Sequence, residues 1–335
     1  MKVDGGIGGL GSAGKLARVQ EDQGMDGLWS AEGGHDPFFP LLLAAQTTER
    51  IELGTGIAVA FARNPMTTAY TANDLQLASE GRFILGLGSQ IKAHIERRFS
   101  MEWSHPAPRM REFILAMRAI WESWNTGSKL AFEGRFYRHT LMTPFFAPQP
   151  NPHGAPKVFL AAVGEHMTEV AGEVCDGLLV HPFTTERYLR EVTLPAVERG
   201  LAKAGRSRDD FELSYSAFVI SGTDEEAASS ADLVRRQVSF YGSTPAYRPV
   251  LELHGWGDLQ TELNTLSKQG GWAKMATLID DEMVDTFAVV APTERVADSI
   301  VQRFSGALDR VGFYTNVTAD PQAKSDIVKG IQAAG

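Results

Sequence analysis

Three ionisable side chains stand in turns of this chain where they could move a proton: Glu32 and His35 in SAEGGHDP, and His254 in ELHGWGD. A histidine whose pKa lies near neutrality exchanges protons readily at physiological pH, and a nearby carboxylate can orient it or share the task. His35 is the first candidate for that role, Glu32 the second and His254 the third. Other chemistries lack their residues. No HExxH or HxH pattern offers a metal site and no GxSxG elbow offers a serine nucleophile. The single cysteine, Cys175, sits in the apolar stretch VAGEVCDGLLV and can form neither an internal disulfide nor a thiolate cluster.

A second set of positions is conspicuous for small residues. ELGTGIAVAFARNP, residues 52–65, reads as a buried strand, yet Gly54 and Gly56 interrupt it, and glycine weakens a strand unless something passes close to the backbone. LGLGSQIKAH carries Gly86, Gly88, Ser89, Gln90 and His94 just past another strand. In AAVGEH, residues Ala162, Val163, Gly164, Glu165 and His166 make a strand-to-helix turn, whose free N–H groups and dipole favour an anion. His181 follows the sixth strand. Gly6, Gly8 and Gly11 spell GxGxxG with Glu32 about 20 residues on, which imitates a dinucleotide fingerprint. The strand before it, KVDGG, carries a lysine and an aspartate where that motif follows a continuous apolar run.

Strand-like and helix-like segments alternate along the chain, the pattern of a parallel sheet with crossover helices. Strands are expected at KVDGG, DGLWSA, IELGTGIAV, RFILGLGS, KVFLAAVG, DGLLVHPF, FELSYSAFVIS and RVGFYTN. Eight such units over more than the typical length of about 250 residues fit an α/β fold of the (β/α)8 TIM-barrel type, in one domain spanning 1–335. Two stretches break the rhythm and are expected as insertions. Residues 100–156 hold the helix PRMREFILAMRAIWESWNTG and a hairpin, LAFEGRFYRHTLM; residues 241–281 read as irregular lid or pocket-wall material. In a barrel the chemistry sits past the C-terminal ends of the strands, which gathers the glycines and histidines above on one rim.

The net charge of −9 argues against nucleic acid or an anionic membrane as partner, since either needs a basic face. No window approaches the roughly 20 apolar residues of a membrane span, and the N-terminus lacks a signal-peptide core; a cytoplasmic protein acting on a small molecule is the expectation.

In their order, WSAE, LGTGIAVAFARNP, GRFILGLGS, the helix ending WESW, EGRFY, AAVGEHMTEVAGEVCDG and LLVHPF resemble the bacterial luciferase-like superfamily. GLGSQIKAHIERRF is especially similar to its branch that uses coenzyme F420, a deazaflavin. The resemblance covers nearly the whole chain. It implies a luciferase-like barrel, an oxidoreductase that passes hydride between F420 and a small organic substrate, and a homodimer. It further implies a cis peptide between Gly56 and Ile57, with Ile57 behind the cofactor ring. Gly88, Ser89 and Gln90 are expected to contact the ring and Val163 to His166 the phosphate, with Val59, His94, Ala162 and His181 as further cofactor-binding positions. Two other functions stay open: an FMN-dependent monooxygenase of the same superfamily, and a protein that binds flavin or deazaflavin without catalysis. Related F420 enzymes place an acid and a histidine closer together after the second strand than Glu32 and His35, which two glycines separate.

Overall fold

A computed structural model of the chain describes residues 1–334, and twelve strands form among them. They are β1 (Lys2–Ile7), β2 (Gly27–Ser30), β3 (Glu52–Thr55), β4 (Ala58–Val59), β5 (Phe83–Gly88), β6 (Phe132–Glu133), β7 (Arg138–His139), β8 (Lys157–Ala162), β9 (Gly177–Val180), β10 (Glu212–Ile220), β11 (Ala288–Val290) and β12 (Arg310–Phe313). Eight of them close a parallel barrel in the order β1-β2-β3-β5-β8-β9-β10-β12, with β12 paired back to β1. The strands are covered by helices outside and packed side chains within, so most read as apolar runs; all six residues of FILGLG in β5 are buried.

β1 departs from that pattern for a reason that lies at the N-terminal end of the barrel. Lys2, Glu52, Lys157, Glu212 and Arg310 each open their own strand, and Asp4 lies two residues into β1. Arg310, fully buried, grips both Asp4 oxygens at 2.8 and 2.9 Å and reaches Glu52 and, at 3.1 Å, Glu212. Lys2 pairs with Glu52 at 2.9 Å and Glu212 at 3.3 Å, and Lys157 pairs with Glu212 at 2.6 Å. Three cations therefore meet three carboxylates, and the Trp29 indole N–H donates to Asp4 at 2.8 Å. Burial alone would raise the Glu212 carboxyl, but the Lys157 hydrogen bond and the Arg310 and Lys2 charges outweigh it and hold it at about 2. This floor closes one end of the barrel. The glycine-rich ends of the strands open at the other.

Within the stretch 100–156, helix Pro106–Thr126 packs between helices Pro65–Ala78 and Glu165–Val174 in the outer ring, and the β6–β7 hairpin with its flanking loops follows it. The stretch 241–281 is not irregular. It folds into helices Arg248–Glu252, Gly257–Lys268 and Trp272–Ala276, which pack with helix Asp224–Gly242 around a second set of buried residues including Phe183, Phe218, Val238, Leu251, Leu263 and Met275. β11, unforeseen in the sequence, follows this insert and extends β10 beyond the barrel. The long helix after β9 holds a π-turn at Leu189–Thr193, just before Pro195, whose missing N–H cannot continue the α-helical ladder.

Candidate active site at the barrel mouth

The interrupted strand is explained first by a neighbour within the chain. A Cβ on Gly54 would stand 2.3 Å from Trp29 Cζ3, and one on Gly56 would stand 3.2 Å from Trp29 Cβ, so both glycines make room for the indole that reaches down to Asp4. β3 stops at Thr55, the Gly56–Ile57 peptide is cis, and pairing resumes in β4 against Leu87 and Gly88. The half-buried Ile57 side chain lies over Gly88, where a Cβ would stand 2.8 Å from Ile57 Cδ1. Small residues on one side and a branched one on the other shape a shelf at the mouth.

Glu32 is not a free acid on this rim. Its Oε2 accepts the Val59 N–H at 2.7 Å and an Arg63 N–H at 2.6 Å, with only 8% of the side chain exposed. Arg63 also donates to Asp36 at 3.1 Å and to the Val59 carbonyl at 3.1 Å. His35, two glycines further on, is exposed and makes no side-chain hydrogen bond among the described residues, and Arg98 ties this loop to the segment after β5 through the Gly33 carbonyl at 2.9 Å. The structure thus assigns the two neighbours different situations: one fixed in an ion pair, the other facing solvent at the mouth. Sequence reasoning missed Arg63; its ARNP context marks a helix start, and nothing local joins it to Glu32.

On the next strand, Ser89 Oγ donates to the Gln90 carbonyl at 3.1 Å, and Gln90 Oε1 accepts the Ile91 N–H at 3.0 Å. Gln90 has a φ of 59°, a left-handed conformation that turns the chain sharply after Gly88. His94 is exposed on the short helix Lys92–Arg97, one turn beyond.

After β8, Gly164 opens helix Glu165–Val174 with no side chain capping it, and space is open around the position of its missing Cβ. Glu165 turns away, held by Arg199 at 2.7 Å, so its carboxylate does not occupy the space before the first N–H groups. Those groups and His166, exposed beside them, are available to an anion. Ala162 and Val163 line a small recess there with His181, Phe183 and Tyr188.

His181 sits under an aromatic wall. Its ring lies 4.7 Å from Tyr241 and 4.8 Å from Tyr247, and burial pushes its pKa down to about 4, so it is neutral at physiological pH. Nδ1 accepts the Phe183 N–H at 3.0 Å, which leaves the proton on Nε2, 3.5 Å from the Tyr247 hydroxyl. Tyr241 in turn bonds Tyr314, at the end of β12, hydroxyl to hydroxyl at 2.8 Å. His254 stands in the helical insert, where Nε2 meets the Thr185 hydroxyl at 2.8 Å and the ring stacks on Trp256. Burial, then the Arg187 charge, lower its pKa. This histidine fastens the insert to the turn after β9.

Comparison with known proteins gives the same architecture. Residues 3–310 match the family described as luciferase-like monooxygenase. The chain is 57% identical to an uncharacterized protein of Mycobacterium tuberculosis, Rv1360, covering 93% of this chain and 92% of that one. It is 28% identical to the 5,10-methylenetetrahydromethanopterin reductase of Archaeoglobus fulgidus, over 95% of this chain and 92% of that one. Among solved structures, the coenzyme F420 dependent tetrahydromethanopterin reductase of Methanopyrus kandleri superposes with a TM-score of 0.78 at 21% identity, covering 100% of this chain and 98% of that one.

Proposed function

Because this chain belongs to the luciferase-like monooxygenase family, we propose that it is an oxidoreductase binding coenzyme F420 at the barrel mouth and transferring hydride between it and a small organic substrate. The observation that carries this is the pairing of a shelf, Ile57 over Gly88, with an uncapped helix start at Gly164 whose acidic neighbour turns outward. A planar ring with a phosphate-bearing tail would use both. A deazaflavin supplies or accepts hydride at one ring carbon. The chain's own tasks are then to seat the ring on Ile57 and Val59, hold the tail at residues 162–166, and place a proton-transfer group beside the substrate. His35 is that group in this proposal, since Glu32 is bound to Arg63 and His254 to Thr185.

FMN is the alternative occupant, favoured by the family's monooxygenase members, and a purely binding role is the other. The His35→Ala variant separates catalysis from binding. Turnover should fall by about 10²–10⁴-fold, the usual contribution of a positioned acid or base, with F420 affinity within about twofold of wild type. Unchanged turnover with an intact cofactor complex would remove His35 from the role.

A cytoplasmic homodimer acting as one barrel domain completes the proposal. No helix among the described residues is long and apolar enough to cross a membrane. Helix Phe38–Ala45 is apolar on every side, leaving Phe39, Leu42 and Leu43 exposed next to the helix that exposes Leu77, and a second copy of the chain would cover them.

A further inference from the structure

Glu32 and Arg63 make a closed set of contacts around one short segment of the mouth. The Glu32 backbone N–H donates to the Ile57 carbonyl at 3.2 Å, while its carboxylate accepts the Val59 N–H at 2.7 Å, so one residue holds the segment on both sides of Ala58. Arg63 binds the same carboxylate oxygen at 2.6 Å and the Val59 carbonyl at 3.1 Å. Its second arm reaches Asp36 at 3.1 Å, and its guanidinium lies 5.4 Å from the centre of the Phe38 ring. Side-chain exposures of 8% for Glu32 and 19% for Arg63 put the pair largely out of water, where a hydrogen-bonded ion pair holds a fixed geometry and loss of either partner leaves a charge unmatched.

We infer that Glu32 and Arg63 are positioning residues, which together fix the Ile57–Val59 shelf on which a cofactor ring rests. The inference rests on the mouth being the cofactor site. Glu32 then acts through Val59 and Ile57, not by passing a proton. Glu32→Gln keeps an oxygen acceptor for the Val59 N–H and loses the ion pair, whereas Glu32→Ala loses both.

The test has two arms. In the cofactor-free protein, deuterium exchange over peptides covering 56–63 should rise in Glu32→Ala and in Arg63→Met, with Glu32→Gln between those and wild type. In a fluorescence titration, F420 affinity should fall at least tenfold in Glu32→Ala and Arg63→Met and by less in Glu32→Gln. The Glu32→Ala/Arg63→Met double variant should bind no more weakly than the weaker single one, because both changes act on one unit. Inorganic phosphate, which probes the helix start at Gly164, should bind all variants alike; a general loosening of the fold would weaken it throughout. Wild-type exchange over 56–63 in Glu32→Ala, or F420 affinity equal to wild type in that variant, overturns the inference. Wild-type protein that fails to bind F420 strikes the cofactor reading instead, and the exchange arm then decides whether the pair holds the segment.

Discussion

Arg310→Met should destabilise the folded chain by about 3–5 kcal/mol, the cost of removing one member of a buried ion cluster and leaving its partners charged. Arg310 is fully buried and is the shared partner of Asp4, Glu52 and Glu212. Methionine matches much of its volume but none of its five donors, so the almost wholly buried Asp4 carboxylate keeps only the Trp29 N–H. Chemical denaturation should show a lower midpoint with little change in slope. The same cluster sets an acid limit. Glu212 is held at about 2 in the fold against an ordinary value of 4.5, so its stabilisation is complete above about pH 4.5 and disappears as pH falls toward 2. Removing Arg310 removes part of that depression, and the acid-dependent loss should shrink accordingly. A variant within about 1 kcal/mol of wild type, with the same acid profile, would show that the floor contributes little.

The second large effect separates function from fold. Gly164→Asp places a carboxylate at the start of helix Glu165–Val174. The backbone there, at φ −79° and ψ 151°, is an ordinary helix-capping conformation that aspartate favours, and nothing lies within 4 Å of the new Cβ. An aspartate cap satisfies a free N–H and opposes the dipole, so stability should hold or rise by up to about 1 kcal/mol. The same charge occupies the donors proposed for the phosphate and repels it. F420 affinity should therefore fall by about a hundredfold, while Gly164→Asn, a neutral cap of similar size, should lose distinctly less. Equal loss in the two variants would indicate crowding, and no loss in either would place the phosphate elsewhere.

The barrel was legible because its signal is local and repeated: a mostly apolar strand, a turn and a helix follow one another eight times over, and six of those turns carry glycine. The floor was not. Lys2, Glu52, Lys157, Glu212 and Arg310 look like ordinary polar strand starts until closure of the sheet brings them together, and Arg310 lies 306 residues from Asp4. Gly54 and Gly56 were recognisable as sites of close approach, but the approaching group, Trp29, belongs to a neighbouring strand whose register the sequence does not print. The rim histidines and Glu32 stood out by residue type, while what each one does depends on partners far along the chain: Arg63 for Glu32, Thr185 for His254, Tyr241 and Tyr247 for His181. The helical insert read as irregular because its helices are short and punctuated by glycine and proline. Its apolar positions, such as Leu251, Leu263 and Met275, find their core only in three dimensions, in a cluster that also takes Phe183 and Phe218 from the barrel strands and their turns and Val238 from helix Asp224–Gly242.

Titration of the purified protein with F420 and with FMN, side by side and followed by fluorescence, tests the assignment of the mouth most directly. Saturable F420 binding near one equivalent per chain, weakened by Gly164→Asp and much tighter than FMN, is the predicted result. FMN binding tightly while F420 does not bind, or neither binding, would contradict it.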